Sequence, residues 1–275
     1  MRTIVHLSDL HFGRTDDALL TPLASAIANL APDLIAVSGD LTQRARTAEF
    51  QAARAFLDRL PKPQIIVPGN HDVPLHNFFT RFIRPLTRYL RYVTGDLEPF
   101  YADDEIAVLG INTARSMTIK RGRINSAQIA HAKKRLGTLD HEVIKIIVTH
   151  HPFEFSNRRA SHKRVGRADL AMDMLLACRC DLLLAGHLHT SDAGSVAMHS
   201  VISSHDVIVV QAGTATSTRG RGELNSFNAI QVEANRIEVR RFGWRPVERI
   251  FESMGSERFE RTTTGWKRVS PSGAV

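Results

Sequence analysis

The sequence predicts an α/β protein with a largely parallel central sheet, on three observations. Short apolar runs alternate with segments whose apolar residues recur three and four positions apart, the signature of strands alternating with amphipathic helices. Each run stops abruptly at Gly, Pro, Asp, Asn or His, so polar groups are delivered at strand ends. The chain has 275 residues and is 43% hydrophobic, with no composition break or Gly/Ser linker, which predicts a single domain over residues 1–275.

In order, Thr3 to Leu7 is an apolar run giving way to Ser8-Asp9-Leu10-His11. Leu19, Leu20, Leu23, Ile27 and Leu30 share a helical face closed by Pro32, and Leu34 to Val37 is a second strand ending in Ser38-Gly39-Asp40. Thr47 is placed to cap a helix carrying Phe50, Ala53, Leu57 and Leu60. A third strand, Gln64 to Val67, stops at Pro68-Gly69 and presents Asn70, His71 and Asp72. Residues 73–105 are less regular: Pro74, Pro85 and Pro99 frame Phe, Tyr and Arg at the spacing of short helices, an expected excursion over the site. Strands are expected again over Ile106 to Leu109 and Val143 to Val148, with a helix capped by Ser126 between them, and the latter strand ends in Thr149-His150-His151. A basic loop with His162, Lys163 and Arg164 precedes a helix over Leu170 to Ala177. The strand Asp181 to Leu184 then runs into Gly186-His187-Leu188-His189. Short strands over Val207 to Val210, Phe227 to Val232 and Ile237 to Phe242 suggest an antiparallel sheet, with a polar loop, Gly213 to Arg219, among them; the tail from Ser253 gives no signal.

The formal charge of +8 and a pI near 10 favour anionic partners: a small phosphoester, a nucleotide, or nucleic acid. Cys178 and Cys180 lie too close together to staple distant parts of a fold and lack a second pair for zinc, so buried thiols in a reducing, cytoplasmic setting are expected. Neither a signal-like run nor a stretch of transmembrane length is visible.

In parallel α/β sheets ligands bind outside the carboxyl ends of the strands. Five strand ends send Asp9/His11, Asp40, Asn70/His71, His150 and His187/His189 to that edge. Any one is ordinary, but their coincidence is not. The donors mix imidazole with hard oxygen and are too many for one tetrahedral zinc; they suit two borderline or hard divalent ions (Fe, Mn, Zn or Co) sharing a carboxylate. Two such ions about 4 Å apart activate water and clamp both oxygens of a displacement at phosphorus.

In this order, D-x-H, G-D, G-N-H-D, H and G-H-x-H resemble the calcineurin-like metallophosphoesterase superfamily over Asp9 to His189, and within it the bacterial class III cyclic-nucleotide phosphodiesterases. The resemblance implies a four-layer αββα sandwich of two mixed sheets, one from residues 1–190 and the second from strands of residues 191–275. It implies that Asp9, His11, Asp40 and His189 hold one metal and Asp40, Asn70, His150 and His187 the other, with Asp40 bridging. His71 is then not a ligand but the catalytic group facing the phosphate, and His150 is the ligand in preference to His151. Gln43, Arg44 and Ala45 depart from the G-D-x-x-D-R-G of protein phosphatases, and His71 departs from the G-N-R-D of the UDP-diacylglucosamine pyrophosphatases. The expected activity is hydrolysis of a phosphodiester, a 3′,5′-cyclic nucleotide first, by a hydroxide between the metals. Nuclease or glycerophosphodiesterase activity stands behind it, with a UDP-diacylglucosamine pyrophosphatase-like activity as a further alternative, and a non-catalytic phosphate- or partner-binding scaffold is the alternative of a different class. A homo-oligomer is compatible with the sequence.

Overall fold

The structure is a computed structural model and describes residues 1–75, 78–116, 122–153, 166–186, 200–202, 207–218, 224–263 and 265–269. Two sheets face one another. The first carries β1 (Arg2–Leu7), β2 (Leu34–Ser38) and β3 (Gln64–Val67) in parallel, extended antiparallel from β1 by β10 (Ser226–Val232), β11 (Arg236–Arg245), β12 (Ile250–Thr262) and β13 (Gly265–Val269). The second runs β4 (Phe100–Ala102), β5 (Ile106–Gly110), β6 (Ile144–Val148), β7 (Leu182–Ala185), β9 (Val207–Gln211) and β8 (Ser200–Ile202), parallel except for its two edge strands.

Alternation along the strands explains the layers. Ile4, Leu34, Ala36, Ile65 and Val67 of the first sheet pack between the sheets against Ile106, Val108, Ile146, Val148 and Leu184 of the second. The opposite faces of β1 and β2, with Val5, Leu7, Ile35 and Val37, meet α1 (Leu20–Asn29) and α2 (Thr47–Leu57). Ala107, Leu109, Ile147 and Leu183 meet α5 (Ser126–Leu136) and α6 (Ala168–Cys178) on the far side. Central strands buried on both faces need uninterrupted apolar runs, which is why they stand out in the sequence. The result is helix, sheet, sheet, helix, the expected αββα sandwich of two mixed sheets.

The partition of strands corrects the expectation. The C-terminal third does not make a separate second sheet: Ile4 pairs with Ile230, so β10 to β13 extend the sheet begun by β1, whereas β4 to β9 form the other. An apolar, alternating strand can be buried in either sheet, and its local pattern carries no record of its neighbour. Residues 73–105 contain α3 (Phe78–Ile83), α4 (Thr87–Tyr92) and β4. The uninterpreted tail contains most of β12 and all of β13; β12 buries only Phe251 and Phe259, too sparse a pattern for a strand signal.

Two helix starts differ in detail. Thr47 is the first residue of α2, and the cap comes from Glu49, whose carboxylate accepts from the Arg44 and Arg46 amides at 2.8 and 3.2 Å. The α5 cap is Asn125, accepting from the Gln128 amide at 2.9 Å, one residue before Ser126. Cys178 and Cys180 are buried and unbridged. No helix among the described residues is long and apolar enough to cross a membrane.

Candidate metal centre

The carboxyl ends of β1, β2, β3 and β6 converge, and backbone bonds lace their loops together. The Asp9 amide donates to the Gly39 carbonyl at 3.0 Å and the His11 amide to the Asp40 carbonyl at 2.9 Å. Asp9, His11 and Asp40 have φ of 53°, 49° and 54°. Left-handed backbone at a non-glycine residue costs roughly 1–3 kcal/mol and persists where surrounding contacts over-determine it. Those contacts come in part from a loop that looked like a mere connector: Thr214 Oγ1 donates to the Asp9 carbonyl at 2.8 Å and Thr216 Oγ1 to that of Leu10 at 2.7 Å.

Asp40 lies at the centre. One carboxylate oxygen, Oδ1, accepts the His71 amide at 2.8 Å and lies 3.4 Å from His150 Nε2; the other lies 3.7 Å from His11 Nε2. His11 Nε2 is also 3.4 Å from Asp9 Oδ1. Two groups of donors share Asp40: Asp9 with His150, and His11 with His71, each within the span of one ion. Asn70 Oδ1 lies 3.2 Å from His150 Nε2. The structure therefore brings together Asp9, His11, Asp40, Asn70, His71 and His150. His187 and His189 lie outside the described residues, as do His162, Lys163, Arg164, Arg219 and Arg221. Gly186 marks where that stretch starts: a Cβ there would fall 1.9 Å from Ser8 Oγ and 2.9 Å from Asp9 Oδ2, so the end of β7 is packed against the Asp9 turn.

The donor set fits a divalent cation. His150 Nδ1 hydrogen-bonds the Ser38 carbonyl at 2.7 Å, which fixes the proton there and aims Nε2 at two oxygens, those of Asp40 and Asn70. In the neutral ring that is three electron-pair donors facing one another, a geometry stabilised by a proton or by a metal. Burial alone would lower the His150 pKa, but the Asp40 charge and hydrogen bond outweigh it and push it up to about 9. Burial likewise raises Asp40, and the surrounding imidazoles, His150 first, hold it well below the usual carboxylate range. Asp40 is 1% exposed, and its ionic partners among the described residues are imidazoles, with no Lys or Arg.

His71 is held differently. Its Nδ1 meets the Gln43 carbonyl at 2.8 Å, and its ring stands edge-on to His11 with centroids 4.9 Å apart. Sequence reasoning assigned no role to the residue that fixes this turn. Asp72 is buried and accepts from the Leu41, Thr42 and Gly69 amides and from Thr42 Oγ1, all at 2.9–3.1 Å, joining the β2 and β3 loops. Burial and the Asp40 charge nonetheless raise its pKa to about 6. Its place in G-N-H-D was the available signal. His151 belongs to a neighbouring network, with Nδ1 2.8 Å from Thr113 Oγ1.

A sandwich of this topology defines the metallophosphoesterase fold. Over 95% of the chain it superposes with a TM-score of 0.65 and 12% identity on 54% of a purple acid phosphatase from yellow lupin (Lupinus luteus). Over 92% it superposes with a TM-score of 0.61 and 12% identity on 98% of a dimetal phosphatase from Danio rerio. The chain belongs to the calcineurin-like phosphoesterase family, whose model matches residues 2–191. It is 27% identical over 167 residues, 56% of its length, to the glycerophosphodiester phosphodiesterase GpdQ of Enterobacter lignolyticus. It is 28% identical over 159 residues, 54% of its length, to a probable cyclic nucleotide phosphodiesterase of Synechococcus. The chain spans less than two thirds of these curated relatives, 58% of each.

Proposed function

We propose that the chain is a binuclear, metal-dependent phosphodiesterase. The observation that carries this reading is Asp40, a single buried carboxylate common to two donor groups, one of which, Asp9 with Asp40 and His150, spans both sheets. In the partition that the family resemblance implies, Asp9, His11 and Asp40 would hold one ion and Asp40, Asn70 and His150 the other, with His187 and His189 completing the shells; it differs from the spatial groups in setting Asp9 with His11 and in leaving His71 out. When bound, the ions supply the positive charge that a phosphoryl group gaining negative charge requires. The chain's own residues do the rest. Asp40 fixes both donor groups about one point, Asp72 locks the turn that carries Asn70 and His71, and the Gln43 carbonyl orients His71 so that Nε2 can donate a proton to the departing alkoxide.

The leading substrate is a 3′,5′-cyclic nucleotide and the runner-up a glycerophosphodiester, the two chemistries named for the curated relatives. The basic charge of the chain suits either, and two unbridged thiols support a cytoplasmic setting. Turnover against cyclic nucleotides, linear dinucleotides and glycerophosphodiesters, with metal content measured on the same sample, tests the reading. Activity that EDTA removes and Mn, Fe, Co or Zn restores supports it. A protein with no rate to lose on any diester after metal loading is a scaffold.

A further inference from the structure

Residues 73–95 follow His71 directly and carry a surface that the hydrolytic site does not use. In α3, Phe79, Phe82 and Ile83 fall three and four positions apart on one helical face and are 71%, 40% and 58% exposed; Leu75 and Leu90, close in sequence, are 47% and 39% exposed. Five of the eleven exposed large hydrophobic residues among those described thus fall within a sixteen-residue stretch. The same segment holds Arg81, Arg84, Arg88 and Arg91 and not one Asp or Glu from Val73 to Gly95. Arg81 is buried against the Pro74 carbonyl, while Arg84 and Arg91 are exposed and Arg88 is half-buried, its Nη1 on the Ala45 carbonyl. The scaffold beneath is firm: Tyr89 is buried, its hydroxyl bonds the Ile66 carbonyl of β3 at 2.8 Å, and α4 packs on α2.

Exposed aromatic and aliphatic groups on short helices that carry arginines and no acid of their own match the interface of an anionic lipid bilayer, where acyl chains receive the former and phosphates the latter. A second copy of the chain does not match. An isologous dimer through this face would set arginines against arginines with no carboxylate of the segment to neutralise them. We propose that α3 and α4, over residues 78–92, dock the protein reversibly on anionic membrane surfaces, with Phe79, Phe82 and Ile83 entering the headgroup region and Arg84 and Arg91 pairing with lipid phosphates. The inference does not depend on the hydrolytic reading. Its consequence for that reading is that the turn bearing His71 would lie on the membrane side of the molecule.

Cosedimentation with vesicles of phosphatidylcholine containing phosphatidylglycerol, and with phosphatidylcholine alone, tests it. The parent protein should bind the mixed vesicles and be released by salt. The Phe79→Ser, Ile83→Ser double variant should bind at least about tenfold more weakly, and Arg84→Ser, Arg91→Ser should lose the preference for anionic lipid. Unchanged thermal unfolding confirms that each variant is folded. As an independent measurement, Phe79→Trp should shift its added emission to shorter wavelength with mixed vesicles. No binding by the parent, equal binding by the apolar double variant, or a parent dimer that the double variant converts to monomer would each overturn the proposal. The second outcome would reduce the effect to the overall charge of the chain, and the third would assign the face to a second copy.

Discussion

His150 Nε2, at the end of a strand in one sheet, lies 3.4 Å from the Asp40 carboxylate, at the end of a strand in the other. The centre therefore exists only when the two sheets are docked, and each half of the sandwich supplies part of one donor set. Asp40→Ala should lower metal content at both sites together, well below the parent stoichiometry, and abolish turnover. Metal analysis after extensive dialysis is the check; two retained ions with normal turnover would refute the bridging role.

Gly69 is constrained by Asp40 as much as Asp40 is by its imidazoles. A Cβ at position 69 would fall 2.1 Å from Asp40 Oδ1 and 2.3 Å from the Asp40 amide nitrogen, and the backbone atom cannot swing aside. Gly69→Ala should displace the β2 loop, weaken metal binding as strongly as loss of a ligand, and lower thermal stability by about 2 kcal/mol or more. Metal titration beside a melting curve distinguishes this from a neutral change, and parent-like values for both would show that the loop yields.

Much of the site was legible because each donor directly follows an apolar run that only a doubly buried strand requires: Val67 before Gly69-Asn70-His71, Val148 before His150. The supports were not legible, because they act through atoms that every residue has. The Ser38 and Gln43 carbonyls orient His150 and His71, and no side-chain pattern marks a carbonyl. Thr214 and Thr216 hold a turn more than two hundred positions earlier. Sheet membership was hidden for a related reason: β10 pairs with β1 across nearly the whole chain, a long-range choice that local periodicity does not encode.

Asp103 supplies a pH dependence remote from the centre. Its Oδ1 accepts from the Glu105 and Ile106 amides and its Oδ2 from Arg2 Nε and Tyr101, tying the start of β1 to the turn between β4 and β5. Burial works to raise its pKa, but the backbone and side-chain hydrogen bonds and the Arg2 charge prevail and lower it. A depressed acid contributes stability that is present above its unfolded value near pH 4 and lost as pH falls through the folded one. Asp103→Asn should cost about 1 kcal/mol at pH 7, a figure kept small by partial solvent exposure, and the difference from the parent should shrink below pH 4. Melting curves from pH 3 to 7 test this; a gap constant with pH would assign the loss to packing.

The last prediction separates chemistry from scaffolding at His71. The ring is anchored at Nδ1 by the Gln43 carbonyl and its backbone amide is spent on Asp40, so the side chain can be removed while the amide that braces the carboxylate stays. His71→Ala should then retain most of its metal. A positioned acid or donor is worth about 10²–10⁴-fold, or roughly 3–5 kcal/mol of barrier. How that loss varies with the leaving group decides the role. A ribose alkoxide needs a proton to depart and a nitrophenolate hardly does, so a general acid at position 71 predicts a severe loss on a cyclic nucleotide and a mild one on a nitrophenyl diester. Equal losses on both, with metal retained, would mean that the ring stabilises charge on the phosphoryl oxygens instead. Because His71 also lies within reach of His11 and Asp40 as a third donor, metal content has to be read on the same samples. If metal leaves along with activity, His71 is a ligand or a structural part of the turn, and proton transfer to the departing oxygen must be assigned elsewhere.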